Sequence, residues 1–569
     1  MPRLVPVLGR LGSLLGCVTL LLAAPAAHGS PRHIHVSWSE PDTATTATIT
    51  WLSDSLGDPN LIQYGTVAPG QFEIPAQVSQ ANPGLGILHV AELTDLEPDT
   101  EYQYRVGGPG AWSDTFKFRT GPSDLCANFR FAAFGDNRPD VDWVPQFHWN
   151  PILAETAATN PAFVLHTGDL VKEGSDTNQW NTFFEASHPF FTTIPVMACL
   201  GNHDDGPAPG DGSNYNQLFA FPRNSLSNTE DFYFFTYGDA IYVSLSSISH
   251  EGGNPPFSDQ AAWLDKVLTD NPRRWKFVFL HHPPFTSHAK FDLIWTQVEF
   301  NHPPNEAQQN EALVPVFDKH HVDIVFAGHN HYYERLGPMV GGPKPDQGTP
   351  VGGFSMGTVY VITGGAGAMV YDEFDVLGID IDLISWVCGS AAGSEVCSGD
   401  HHYVIVDIED NVAHYEAWAT AEQTLGNDPA NHKLIDSFDI VKGAPECQEP
   451  PPPVEPSPEP NPEPSPEPEP DVVTPAEPVE DVLSKPDGLT DDSNPQDLPR
   501  PPAEVVTGSD VAAGEEAAAP AADPHSTPAA NTACGCRIDR STAPMAGPTL
   551  LLACLALAWL AARRIRWPN

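Results

Sequence analysis

Positive charge is what this sequence most lacks. Of 569 residues only 27 are lysine or arginine, against 74 aspartate and glutamate, for a formal net charge of −47. That balance argues against nonspecific nucleic-acid binding, which needs a basic footprint. Cysteine is sparse, nine in all, and no C-x-x-C pair occurs, which argues against a cysteine zinc site. Apolar residues are missing from one long stretch. Between Gly443 and Ala530 stand 20 acidic residues against Lys485 and Arg500, a net of 2 − 20 = −18, with 23 of the 60 prolines. Such a segment buries too little surface to offset chain entropy. It predicts a disordered Pro/Glu-rich linker over 443–533, stiff and self-repelling around Pro450 to Pro470, a stalk. Also missing is the Lys-Ser/Thr ending that would make Thr363-Gly364-Gly365-Ala366-Gly367 a phosphate loop, so this run reads as a turn after a strand.

The two ends carry the long apolar runs. Arg3 and Arg10, the run Leu11 to Ala24 and the small residues that follow predict a signal peptide over 1–29. Near the other end, Ala543 to Ala562 is long enough to cross a bilayer as a helix, with Arg563, Arg564 and Arg566 placed for the cytoplasmic side. Residues 534–569 therefore read as an anchor helix or, since Cys534-Gly535-Cys536 precedes them, as a tail that resembles the C-terminal sorting tail of myxobacterial surface proteins. The expectation is an exported protein of the cell envelope or surface, membrane-anchored at least transiently. An oxidising compartment favours a local disulfide between Cys388 and Cys397; pairing among Cys126, Cys199 and Cys447 stays open.

The middle divides in two. Residues 31–121 read as all-β, with period-two runs at His33–Trp38 and Ala47–Leu52 and Trp51 as a core candidate. In Leu93-Thr-Asp-Leu96-Glu-Pro98-Asp-Thr100-Glu-Tyr102-Gln-Tyr104-Arg-Val106, a corner leads into a strand with Tyr102, Tyr104 and Val106 on one face. This resembles the fibronectin type III sandwich and its tyrosine corner. Over 125–442, short apolar runs at Phe129–Phe134, Phe163–Leu165, Pro195–Leu200, Ala240–Leu245, Lys276–Leu280 and Val322–Ala327 predict buried strands. Helical spacing at Gln260–Leu268 falls between two of them. The pattern predicts an α/β/β/α sandwich with functional residues in loops at strand ends. His401, His402 and Tyr403 open a final strand, Tyr403–Ile408, expected at the domain edge.

Five of those strand ends carry chemistry: Gly135-Asp136-Asn137-Arg138, Gly168-Asp169, Gly201-Asn202-His203-Asp204, His281-His282-Pro283 and Gly328-His329-Asn330-His331. Carboxylate, amide and imidazole donors together suit Mn²⁺, Fe or Zn²⁺. The set closely resembles the calcineurin-like metallophosphoesterases and, with the preceding sandwich, their purple acid phosphatase branch, over roughly 31–442. The resemblance implies two divalent or trivalent metal ions bridged by Asp169. Asp136 and His331 would hold the first, and Asn202, His281 and His329 the second. It further implies that a metal-bound hydroxide attacks a phosphate-ester substrate, with His203 facing the substrate as phosphoryl stabiliser or proton donor.

Two positions depart from the family. Where many relatives have a histidine, this chain has Arg138, which does not ligate metals and is expected to grip phosphate. Where the purple branch has its iron-binding tyrosine, this chain has Lys172, so no purple colour is expected. His148 and Asp140 are nearby candidates to complete the first site. His288 is a candidate phosphate-binding residue, His282 is read as positional, and Tyr332, Tyr333 and Glu334 as wall or supporting residues. Phosphomonoesters are the expected substrates. The alternatives are phosphodiesters or nucleotides on the same fold and, from a different class, a non-catalytic surface adhesin with a degenerate phosphatase domain.

Overall fold

The computed structural model describes residues 29–443 and Cys447, apart from 140–147, 249–254, 288–289, 293–296, 300–305, 342–356, 371–374, 377–378, 381–390, 392 and 421–431. The signal-like segment, the Pro/Glu-rich linker, the C-terminal apolar run, Asp140, His288 and Cys388 lie outside the described residues. Among the described residues no helix is long and apolar enough to cross a membrane.

The N-terminal part is a sandwich of two four-stranded sheets. One orders Arg32–Ser37, Ala47–Ser53, Ile87–Leu93 and Gln77–Gln80; the other orders Phe72–Pro75, Leu61–Gly65, Glu101–Gly107 and Phe116–Arg119. Period-two alternation turns Trp51, Tyr102, Tyr104, Val106 and Phe118 into one shared core. The corner expected from the sequence is made: the Tyr102 hydroxyl accepts the Glu97 N–H at 2.9 Å.

The second part has two sheets packed face to face between helices. The six-stranded sheet runs Val196–Ala198, Val164–His166, Phe129–Phe134, His402–Glu409, Val412–Ala419 and Lys433–Val441. The seven-stranded sheet runs Tyr233–Tyr237, Ala240–Ser244, Trp275–Leu280, Ile324–Ala327, Thr358–Thr363, Tyr333–Met339 and Ser394–Ser398. Phe131 joins them, its ring 5.1 Å from Phe277 and 5.2 Å from Tyr242. Helices Trp149–Ala158 and Thr177–Phe191 contribute Trp149, Phe183 and Phe191 to the core of the first sheet. Helix Phe257–Asp270 presents Ala261, Leu264 and Leu268 to the second, together with Leu313 and Phe317 of helix Glu306–His320. The strands Phe129–Phe134, Val164–His166 and Val196–Ala198 are mutually parallel, as are Ala240–Ser244, Trp275–Leu280, Ile324–Ala327 and Thr358–Thr363. In each set, then, neighbouring strands end on the same side, which gathers the five loops. One expectation is corrected. Strand His402–Glu409 lies inside its sheet, paired to both Phe129–Phe134 and Val412–Ala419, because its apolar residues at 403–406 and 408 are buried on both faces.

The sandwich is welded to the second part. The Tyr104 hydroxyl donates to the Thr192 carbonyl at 2.8 Å, and Ser37 Oγ to the Ala220 carbonyl at 2.9 Å. His33 and His35 stack on Phe184 at 5.1 and 5.0 Å. A disulfide joins Cys126, at the junction of the two parts, to Cys447, and Cys397 is disulfide-bonded as well; Cys199 is a free, buried thiol.

Candidate metal centre

The site grows from three residues held in the left-handed region, Asp136 (φ 58°), Asp169 (φ 55°) and His329 (φ 69°), each just past a strand end. That backbone is costly for a residue with a Cβ and persists only where its surroundings enforce it. Here the enforcement is visible. The His329 N–H lies 3.0 and 2.9 Å from the two oxygens of Asp136. Asp204, fully buried, accepts from the N–H groups of Asp169, Leu170, Val171 and Gly201 at 2.8, 2.8, 3.1 and 2.9 Å. Gly201 must be glycine, since a Cβ there would run into the backbone nitrogen and Oδ1 of Asp169.

Two donor groups result. In one, ligand atoms of Asp136, Asp169 and His331 lie within 4.8 Å of one another. In the other, those of His281, His282 and His329 do the same. Asn202 sits with the second group: its Oδ1 is 2.9 Å from His281 Nε2 and 3.0 Å from His329 Nδ1. Asp169 reaches it too, with Oδ1 3.3 Å from His281 Nε2. His281 Nδ1 donates to the Thr167 carbonyl at 2.9 Å, so in the neutral ring Nε2 carries a lone pair. Burial favours that neutral ring, pushing the His281 pKa down. Nε2 therefore faces two oxygens with a lone pair of its own. Electron pairs from amide, carboxylate and imidazole that converge this way are satisfied by a cation, and the mixed oxygen and nitrogen donors fit Zn²⁺, Mn²⁺ or Fe. The residues present fit a metal ion here.

The carboxylates differ. Burial works against the charge on Asp169, yet His281, His203 and Arg138 together hold its pKa down at about 2. Burial, followed by the Asp169 charge, pushes Asp136 well up. His331 Nδ1 donates to the Met369 carbonyl at 3.0 Å, which turns Nε2 towards Asp136 Oδ1 at 3.6 Å.

The structure brings together all six residues expected to hold metal. His203 is at the mouth, 34 % exposed, its Nδ1 2.7 Å from the Lys172 carbonyl and its Nε2 4.0 Å from Asp169 Oδ2. Arg138 points inward, with Nε 3.2 Å from Asp169 Oδ2 and Nη2 3.4 Å from His331 Nε2. His148 stacks on His401 at 3.8 Å. Tyr332 and Glu334 act as braces: the Tyr332 hydroxyl donates to Glu334 at 3.1 Å and Glu334 accepts from Ser287 N at 2.8 Å. The bracing role of Asp204 has no signal in the sequence beyond the aspartate that follows Gly201-Asn202-His203, and the 363–367 run, expected to be a mere turn, does more. The Ala366 and Ala368 N–H groups donate to the Gly135 and Asp136 carbonyls at 2.9 and 2.7 Å, and with Met369 this run builds one wall of the site.

Residues 31–120 match the purple acid phosphatase N-terminal domain, and residues 129–333 match the calcineurin-like phosphoesterase. The chain is 29 % identical over 323 residues to probable purple acid phosphatase 20 of Arabidopsis thaliana, covering 54 % of this chain and 69 % of that protein. It is 27 % identical over 369 residues to acid phosphatase type 7 of Mus musculus, covering 60 % and 78 %. The solved purple acid phosphatase PPD1 from yellow lupin seeds shares the fold, with a TM-score of 0.57 at 20 % identity over 73 % of this chain and 74 % of that one. A β sandwich matching the purple acid phosphatase N-terminal domain, followed by paired sheets matching the calcineurin-like phosphoesterase, makes this chain a metallophosphoesterase similar to the purple acid phosphatases.

Proposed function

We propose that the chain is an exported, metal-dependent phosphatase that hydrolyses phosphomonoesters. The observation that carries this is the convergence of His281 Nε2, Asn202 Oδ1 and Asp169 Oδ1 beside the partly exposed ring of His203. A bound ion supplies Lewis acidity and brings the ionisation of water close to neutral pH. The protein does the rest. Asp169, Asn202, His281 and His329 would hold the ion, and Thr167 fixes the tautomer of His281. The Lys172 carbonyl accepts from His203 Nδ1 and so fixes the ring, and in its imidazolium form Nε2 is the proton donor to the leaving oxygen. Arg138 adds a guanidinium within reach of the same chamber.

Export rests on the N-terminal apolar run and on the Cys126–Cys447 bond, a crosslink of the kind that persists in oxidising compartments. Attachment to the envelope rests on residues 543–562. The test is hydrolysis of a phosphate mono-ester and bis-ester panel by the purified full chain, with metal analysis, beside Asp169→Ala. Mono-ester preference that disappears in the variant supports the reading. Bis-ester preference moves it to phosphodiesters, and equal, negligible turnover in both after metal loading moves it to a binding protein.

A further inference from the structure

The two donor groups are built differently. In the second, lone pairs face one another at His281 Nε2, Asn202 Oδ1 and Asp169 Oδ1. In the first, the equivalent acceptors already meet a cation. The Arg138 guanidinium sits between Asp169 Oδ2, 3.2 Å from its Nε, and His331 Nε2, 3.4 Å from its Nη2. His331 spends its Nδ1 hydrogen on the Met369 carbonyl, so its Nε2 accepts from the arginine. The side chain is enclosed: Arg138 is 11 % exposed, His331 9 % and Asp169 1 %. A guanidinium stays protonated at every working pH and has no lone pair to offer a metal. A metal ion ligated by Asp169 Oδ2 and His331 Nε2 would need the space that these nitrogens occupy, and it would face their charge at ligand distance. The backbone holds the arginine there as well, since the Arg138 N–H donates to the Asp169 carbonyl at 3.3 Å.

We propose that Arg138 is the resident cation of the first donor group, so that the protein takes a single metal ion, at Asp169, Asn202, His281 and His329, and not a pair. The arginine then has two tasks. It neutralises Asp169, and it places a fixed positive charge where a second ion would otherwise meet the phosphoryl oxygens. This inference rests on the metallophosphatase reading, and the experiment separates the two.

The full chain is loaded with Mn²⁺, freed of excess metal, and its ions per chain are counted by mass spectrometry. Wild type, Arg138→Gly and His281→Ala are compared, and the same wild-type sample is read by electron paramagnetic resonance. The expected result is a single ion per wild-type chain with the six-line signal of an isolated Mn²⁺, two ions in Arg138→Gly, and loss of the ion in His281→Ala. The resonance reading needs no variant, so misfolding of Arg138→Gly leaves the test intact. Two ions in wild type, or a spin-coupled signal, overturns the inference and leaves the phosphatase reading standing if phosphomonoesters are hydrolysed. An unchanged single ion in a folded Arg138→Gly also overturns it. No ion in wild type and no hydrolysis sinks both.

Discussion

Asp204 does its work through backbone alone. Removing its carboxylate leaves four buried N–H groups, at Asp169, Leu170, Val171 and Gly201, without their acceptor. Each orphaned donor costs on the order of 1–3 kcal/mol. Asp204→Ala should therefore lose upwards of about 3 kcal/mol in chemical denaturation and weaken metal binding about 10–100-fold, as loss of a ligand's support does elsewhere. Unchanged affinity in calorimetry would show that the loop holds itself. Gly201→Ala should lose the metal too, because its methyl group collides with Asp169, whereas Gly57→Ala, whose Cβ meets nothing closer than Ser55 Oγ at 3.7 Å, should keep it. The ligands were legible because four of the six, Asp136, Asp169, Asn202 and His329, directly follow glycine at the end of an apolar run. The role of Asp204 was not, since its partners Asp169, Leu170 and Val171 lie more than thirty residues away and no local pattern encodes them.

At the scale of elements, strands were readable and their neighbours were not. The run Phe129–Phe134 is a strand end to end, and Lys276–Leu280 differs from the observed Trp275–Leu280 by one residue. Buried β-strands of a parallel sheet announce themselves as unbroken apolar stretches. Sheet order is a long-range pairing, which is why His402–Glu409 was expected at an edge and is found inside. For the same reason the run at 363–369 was not tied to Asp136. The seam between the sandwich and helix Thr177–Phe191 gives an element-scale prediction. Tyr104→Phe removes the bond to the Thr192 carbonyl at the end of that helix. It should cost about 1 kcal/mol, read as a lower midpoint in urea, while hydrolysis stays at the wild-type rate. A change in activity without a change in stability would contradict this.

Across the whole molecule, buried histidines weaken the fold in acid, against Glu230 and Asp204, which burial raises to about 7 and 8. Burial, with help from Arg32, His35 and His188, lowers His33 to about 3, and burial lowers His35 to about 4. Both stay neutral in the fold at pH values where an unfolded histidine, near 6.5, takes a proton. Their contribution is complete above about pH 6.5 and is lost as pH falls towards 4, a few kcal/mol for each. Calorimetry should show Tm falling between pH 7 and pH 4.5, with a shallower slope in His35→Gln; an equal slope would rule these rings out. Reduction of Cys126–Cys447 should also lower Tm, through a loss of stability on the order of 2–5 kcal/mol, since the bond spans 321 residues of sequence.

That crosslink also decides where mechanical load travels. Lys433–Val441 is an outermost strand of its sheet, hydrogen-bonded on one side only, and Cys447 follows it. A tether pulling on the 122 residues beyond Cys447 (569 − 447) would otherwise unzip that strand rung by rung. With the sulfurs joined, tension passes from Cys447 straight to Cys126, ahead of the first catalytic strand, and the metal loops stay out of the line of force.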